Sequence, residues 1–261
     1  MAVLRPATDL GSAGPSAALA RGRRVALVGA VAVVGVALAP PLGTAGRQYA
    51  FAETVQFGLL AFAVPALLVV GQPWGPWGSR WPPGALWRRL EALQHRRRRH
   101  PEVWRSGVLV AADVGLMVLW RTPAWMDALV RDRWLVTLEA VSLAVAGAGV
   151  WLELLGCPPL SPRLPRPWRA GVAAACMWAT WIMAYIEGFA HVAWSRAFDH
   201  AGALVGASMD QELATGILWF AAAASFVPVV FVDLMRWLQH DEDPDAELRK
   251  LVRAARRSGR A

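Results

Sequence analysis

Residues 55–71 read VQFGLLAFAVPALLVVG, seventeen positions without a charged side chain. Coiled as a helix they rise about 25 Å, close to the ~30 Å of hydrocarbon in a bilayer, so the run is read as a membrane span. Five more apolar runs accompany it, at about 25–42, 106–120, 134–156, 170–187 and 213–235. Of the 261 residues 56% are hydrophobic, an excess that one soluble core would not divide among separate runs of this length. The expected fold class is all-α, a polytopic transmembrane helical bundle of six spans over residues 25–236. A disordered basic tail, 1–24, precedes it, and a charged cytoplasmic tail, 237–261, follows.

Arginine sets the sidedness. The first tail has Arg5, Arg21, Arg23 and Arg24; the connection after the quoted run has Arg80, Arg88, Arg89 and a block at 96–99; the one after the fourth run has Arg163, Arg166 and Arg169. The alternate connections, 43–54, 121–133 and 188–213, stay near neutral or acidic. The positive-inside rule then places both termini in the cytoplasm and the alternate connections outside. A net charge of +8, carried on span flanks, points to anionic lipid headgroups at the cytoplasmic face as partner and argues against nucleic acid. Tryptophans at run ends, Trp74, Trp120, Trp134, Trp168, Trp194 and Trp237, fit aromatic belts. The third run is short, about 22 Å, so Arg105 and Arg121 are expected to snorkel to the two headgroup regions. The first run also reads as a signal peptide, with Arg21-Gly22-Arg23-Arg24 before it and Gly43-Thr44-Ala45 after it.

Two segments read as interfacial helices on the cytoplasmic side. Residues 84–100 set Leu86, Leu90 and Leu93 beside the arginine block, and Asp243-Pro244 opens a helix with Leu248, Leu251 and Val252 against Arg249, Lys250 and Arg253. Cys157 falls at the cytoplasmic end of the fourth run and Cys176 inside the fifth, so no disulfide is expected. No CxxC, Walker, Rossmann, HExxH or GxSxG pattern occurs, and no enzyme activity is expected.

The ionisable groups near the outer ends of the runs carry the functional reading. Glu53 and Gln56 stand at the mouth of the second run, Glu139 a turn into the fourth, Glu187 and His191 at the exit of the fifth, and Met209, Asp210, Gln211 and Glu212 at the entry of the sixth. Asp199 and His200 share the connection with His191. Carboxylates at membrane depth are costly, so a functional site is the first hypothesis. Glu53 and Gln56, three apart, share a helix face and with Glu139 and Asp210 make one candidate patch from three spans. Each has a structural alternative. Ser208 to Gln211 has capping-box spacing, which suits Asp210 to a helix start. Glu139 suits a pair with Arg131 or Arg133, and the two histidines suit solvent-facing loop positions. Asp113, at mid-depth in the third run, reads as a protonated or paired acid or as a proton-path residue. Asp233 and Arg236 read as an i to i+3 pair.

Four strings follow one another over residues 50–240: Gln56-x2-Leu59-Leu60-x4-Pro65-x-Leu67-Leu68-x2-Gly71-x-Pro73, then Trp120-x2-Pro123-x3-Asp127-Ala128-Leu129, then Leu138-Glu139, then Asp210-Gln211-x-Leu213-Ala214-x-Gly216-x-Leu218-Trp219. Together they resemble the CtaG family of cytochrome c oxidase assembly factors. The resemblance implies a multi-pass protein of the bacterial inner membrane, with a terminal oxidase subunit as partner and copper as the cargo for its binuclear centre. Family histidines flank the Gln of the first motif, follow the Trp of the second and bracket the Glu of the third. Here those positions hold Glu53 and Phe57, Arg121, and Val136 and Ala140. Copper(I) favours imidazole and sulfur over carboxylate and amide oxygens. The resemblance therefore leaves Glu53, Gln56, Glu139, Asp210 and Gln211 as the candidate binding patch, and His191, His200 and Met209 as candidate copper ligands. One role is an assembly factor that hands copper to the oxidase; another is a metal-free membrane scaffold of a respiratory complex. A proton-coupled transporter using Asp113 is a third, without the inverted repeat such folds carry.

Overall fold

The computed structural model describes residues 15–73, 89, 91–95, 103–157, 160–190, 193–199 and 205–241. Among these the regular structure is helical, apart from one isolated bridge pairing Cys157 with Leu160. Helix α1 spans Pro15–Leu38 and α2 is the single turn Leu42–Ala45. Helix α3, Ala50–Gly58, runs through a π-helical turn, Leu59–Ala63, into α4, Val64–Gly71. Then come α5 (Val103–Trp120), α6 (Pro123–Arg131), α7 (Arg133–Leu155), α8 (Arg166–Gly188) and α9 (Ala207–Asp241). A 3-10 turn, Arg196–Phe198, lies in the connection before α9.

Four helices are long and apolar enough to cross a bilayer: Ala50–Gly71, Arg133–Leu155, Arg166–Gly188 and Ala207–Gln239. A fifth span is added if α5 and α6, bent by 66°, are taken together. The expected sixth, in α1, is not among these. A spanning-length window inside α1 takes in Arg21, Arg23 and Arg24, and the apolar part from Val25 ends at Leu38 after about 21 Å of rise. Helix α1 also starts at Pro15, inside the stretch expected to be a disordered tail.

Large apolar side chains face outward, with Val31 74%, Phe220 72% and Val145 69% exposed, while Glu53, Asp113, Glu139, Glu153, Glu187, Asp210 and Asp233 are buried. That inversion of a soluble protein's pattern fits a lipid surround, where the outer surface needs no polar groups and interior acids find partners. The π-helical turn has a local cause. Pro65 has no N–H to donate to residue 61 and its ring crowds that turn, so the helix widens just before it. Helix α7 then passes close by: a Cβ on Gly147 would lie 2.8 Å from Pro65 Cγ and 3.2 Å from the Ala61 carbonyl oxygen. Helices α1 and α4 meet as tightly, since a Cβ on Gly71 would fall 2.4 Å from Leu27 Cγ. Between the helices lies a core that stacks Trp151 on Phe226 at 5.6 Å, with Phe62 edge-on to Phe226 at 5.7 Å.

The end of the bundle that carries the arginine-rich connections is tied by ion pairs. Arg163 pairs with Glu153 at 3.2 Å and Arg169 with Asp233 at 2.7 Å. Asp233 thus bonds across to α8, correcting the expected pair with Arg236 along α9. The Gln94 side chain bonds to Ser161, so the helical residues 91–95 dock on the connection before α8. The remainder of 84–100, apart from residue 89, and the proposed helix after Asp243 lie outside the described residues. Cys157 and Cys176 are both free and buried. Of the belt tryptophans, Trp134, Trp168 and Trp237 are exposed. Trp120 departs from the belt: it is buried and donates its Nε1–H to Ser142 Oγ at 3.0 Å. Trp74 lies outside the described residues.

Candidate functional site

The break between α5 and α6 builds the centre of the opposite end. Pro123 opens α6 and holds Thr122 extended, with ψ 145, which ends α5 at Trp120 and turns Arg121 into the bundle. Arg121 is 2% exposed, so it does not snorkel. Its Nε and Nη2 donate to the two carboxylate oxygens of Glu187 at 2.9 and 2.5 Å, a two-pronged grip. Its Nη1 donates to Glu53 Oε2 at 2.5 Å and to Thr54 Oγ1 at 3.1 Å. The Phe57 ring lies 5.3 Å from the guanidinium carbon. Because arginine does not deprotonate in proteins, the chamber holds a permanent cation.

Glu139 joins this group from α7. It is 3% exposed and near enough to Arg121 and Glu53 to interact with both charges. Among the described residues its Oε1 has no hydrogen-bond partner, and neither has Glu53 Oε1. The expected pairing of Glu139 with Arg131 or Arg133 is not made: Arg131 donates to the Asp127 carbonyl at 3.1 Å, and Arg133 is exposed on the first turn of α7. Three carboxylates from three helices therefore surround one guanidinium.

Asp210 and Gln211 hold the neighbouring backbone. Asp210 accepts from the amides of Ala50 and Phe51, both at 2.8 Å, and so caps α3, whose own N-cap Tyr49 supplies no side-chain bond. Gln211 Oε1 accepts from the Trp194 amide at 2.8 Å, and its Nε2 donates to the Glu187 carbonyl at 2.6 Å. The expected capping box is absent, since Ser208 and Gln211 lie inside α9 and Ser208 Oγ reaches only Glu212 at 3.5 Å. Residues 193–199 close over the cluster: Trp194 Nε1 donates to the Arg121 carbonyl at 2.9 Å, while Asp127 Oδ1 accepts from Ser195 Oγ at 2.5 Å and the Ala197 amide at 3.1 Å. The void left beside Arg121, Glu187 and Trp194 is about 20 Å³, room for one water.

The structure thus gathers Glu53 and Glu139 around Arg121, and Asp210 and Gln211 beside them through the backbone. It does not bring Gln56 into the cluster; that side chain lines a separate cavity. Met209 is 56% exposed on the first turn of α9. His191 and His200 lie outside the described residues. Asp113 is buried in the middle of α5, near Cys176 of α8 and away from this cluster. Among the described residues no group of three or more His, Cys, Asp and Glu side chains is placed to hold a metal ion. The chamber's free donors are carboxylate oxygens beside a fixed positive charge, a poor fit to soft copper(I). Arg121 and Glu187 are the residues that the sequence patch lacks. The signal was available: several acids at one depth require a cation, and Arg121 stands two residues before Pro123 at the end of the third run.

A family model described as cytochrome c oxidase caa3 assembly factor (Caa3_CtaG) matches residues 2–240. No curated protein and no solved structure matches the chain.

Proposed function

Because the chain belongs to the cytochrome c oxidase caa3 assembly factor family, we propose that it serves oxidase assembly as a non-catalytic, metal-free scaffold in a bacterial cell membrane. In this reading the chain crosses six times with both termini cytoplasmic, and the Arg121 end faces outward toward an oxidase subunit. One observation carries it. Positions 53 and 121, where the resemblance places histidines, hold a carboxylate and a guanidinium that bond to each other at 2.5 Å. The guanidinium takes the place of a bound cation and keeps the outer ends of α3, α5 and α8 together without a metal.

Deleting the gene and assaying the terminal oxidase tests this. The expected result is loss of assembled oxidase, with normal copper content in whatever complex remains. Fully assembled oxidase depleted of copper would overturn the scaffold reading. Such a result would favour copper as cargo, for which the exposed thioether of Met209 is the supporting observation. His191 and His200 would be its partners, and tight stoichiometric copper(I) binding lost in the His191→Ala/His200→Ala protein would identify them.

A further inference from the structure

We propose that the cavity between the α2 turn, the last turn of α3 and the first turn of α7 is a phosphate-recognition site, filled by the headgroup of an anionic phospholipid or by free phosphate. Its volume is about 450 Å³, within the range of small-ligand sites. Arg47 and Arg133 line it from two different segments, and among the described residues no acidic side chain does. The Nε and Nη2 of Arg47 donate to the Val130 carbonyl at 3.2 and 2.8 Å, which fixes the guanidinium and, among the described residues, leaves Nη1 uncommitted. Arg133 makes no hydrogen bond or ion pair among the described residues and is free to close on a ligand.

Gln56 gives the cavity a polar floor. It is 7% exposed, lines the cavity, and its side-chain amide makes no hydrogen bond among the described residues. The amide lines the cavity, where a ligand oxygen can accept from its Nε2–H. Gly46 permits this placement, since a Cβ there would fall 2.6 Å from Gln56 Oε1. Two guanidinium groups, an amide and the hydroxyl of Thr137 form a donor set for an anionic oxygen cluster. The apolar walls, Leu38, Pro40 and Val136, suit the methylenes beside a lipid phosphate and offer nothing to the free ion. The site opens at the first turn of a spanning helix, the depth at which a headgroup phosphate lies.

The test uses the full-length protein in nanodiscs of phosphatidylglycerol or phosphatidylcholine, released for native mass spectrometry, together with calorimetric titration of inorganic phosphate into detergent-solubilised protein. A retained phosphatidylglycerol adduct, favoured over phosphatidylcholine and reduced about fivefold by Arg133→Gln, supports a lipid source. Phosphate binding in detergent that weakens likewise in Arg133→Gln, with no lipid adduct, supports the free ion. Gln56→Leu is expected to weaken the same ligand without changing net charge. Equal retention of both lipids with no phosphate binding, or binding indifferent to both substitutions, overturns the proposal. Arg133 is exposed, so its variant is expected to keep the helical circular dichroism of the parent.

Discussion

Replacing Arg121 by Met removes the charge while keeping an apolar chain of similar reach, and it strands Glu53, Glu187 and Glu139 in the interior. Four hydrogen bonds disappear, two of them the paired grip on Glu187. Removing one partner of a buried ion pair costs about 3–5 kcal/mol, and three remaining acids place this site toward the upper end. That corresponds to roughly a hundred- to several-thousand-fold in the unfolding equilibrium. The measurement is denaturant unfolding in detergent micelles followed by far-ultraviolet circular dichroism. Neutralising the two bonded acids as well, in Glu53→Gln/Arg121→Met/Glu187→Gln, should recover most of the loss, because neither acid that gripped the guanidinium is then left as an uncompensated charge. If Arg121→Met shifts stability by less than about 1 kcal/mol, or if the triple replacement is no better than the single, the guanidinium is not what joins these helices.

Two further outcomes are expected. Asp210→Ala removes the cap on α3 and should cost about 1–2 kcal/mol, with faster hydrogen exchange at the Ala50 and Phe51 amides; unchanged exchange there would refute the capping role. For sidedness, Met209→Cys is expected to react with a membrane-impermeant maleimide in intact cells and Arg236→Cys is not, against a silent background because Cys157 and Cys176 are buried. The reverse pattern would invert the proposed orientation.

The apolar runs were legible because a span must be continuous: the expected 134–156 and 170–187 meet helices Arg133–Leu155 and Arg166–Gly188. The clustering of Glu53, Glu139, Glu187 and Asp210 at one end was legible for the same reason, since each stands beside a run boundary. What each acid bonds to was not. Asp210 reads as a residue of its own helix start, but the helix it caps begins 160 residues earlier, a relation that local spacing does not encode. Arg121 reads as a snorkelling side chain from its place at a run end; only the bend at Pro123 and acids from two other helices turn it inward. Asp233 follows the same rule, its partner Arg169 standing on α8 rather than one turn along. Local periodicity places a group at a depth, and tertiary packing chooses its bond.

Helix α9 joins the two ends of the molecule as one rod. Asp210 clasps it to α3 at one end and Asp233 clasps it to Arg169 at the other, about 35 Å apart along its axis. A strut pinned twice cannot slide like a piston. The compliance left to it is flexure near Pro228, where a backbone hydrogen bond is missing. A load applied by a partner at the Asp210 end would be felt across the membrane as a change in tilt.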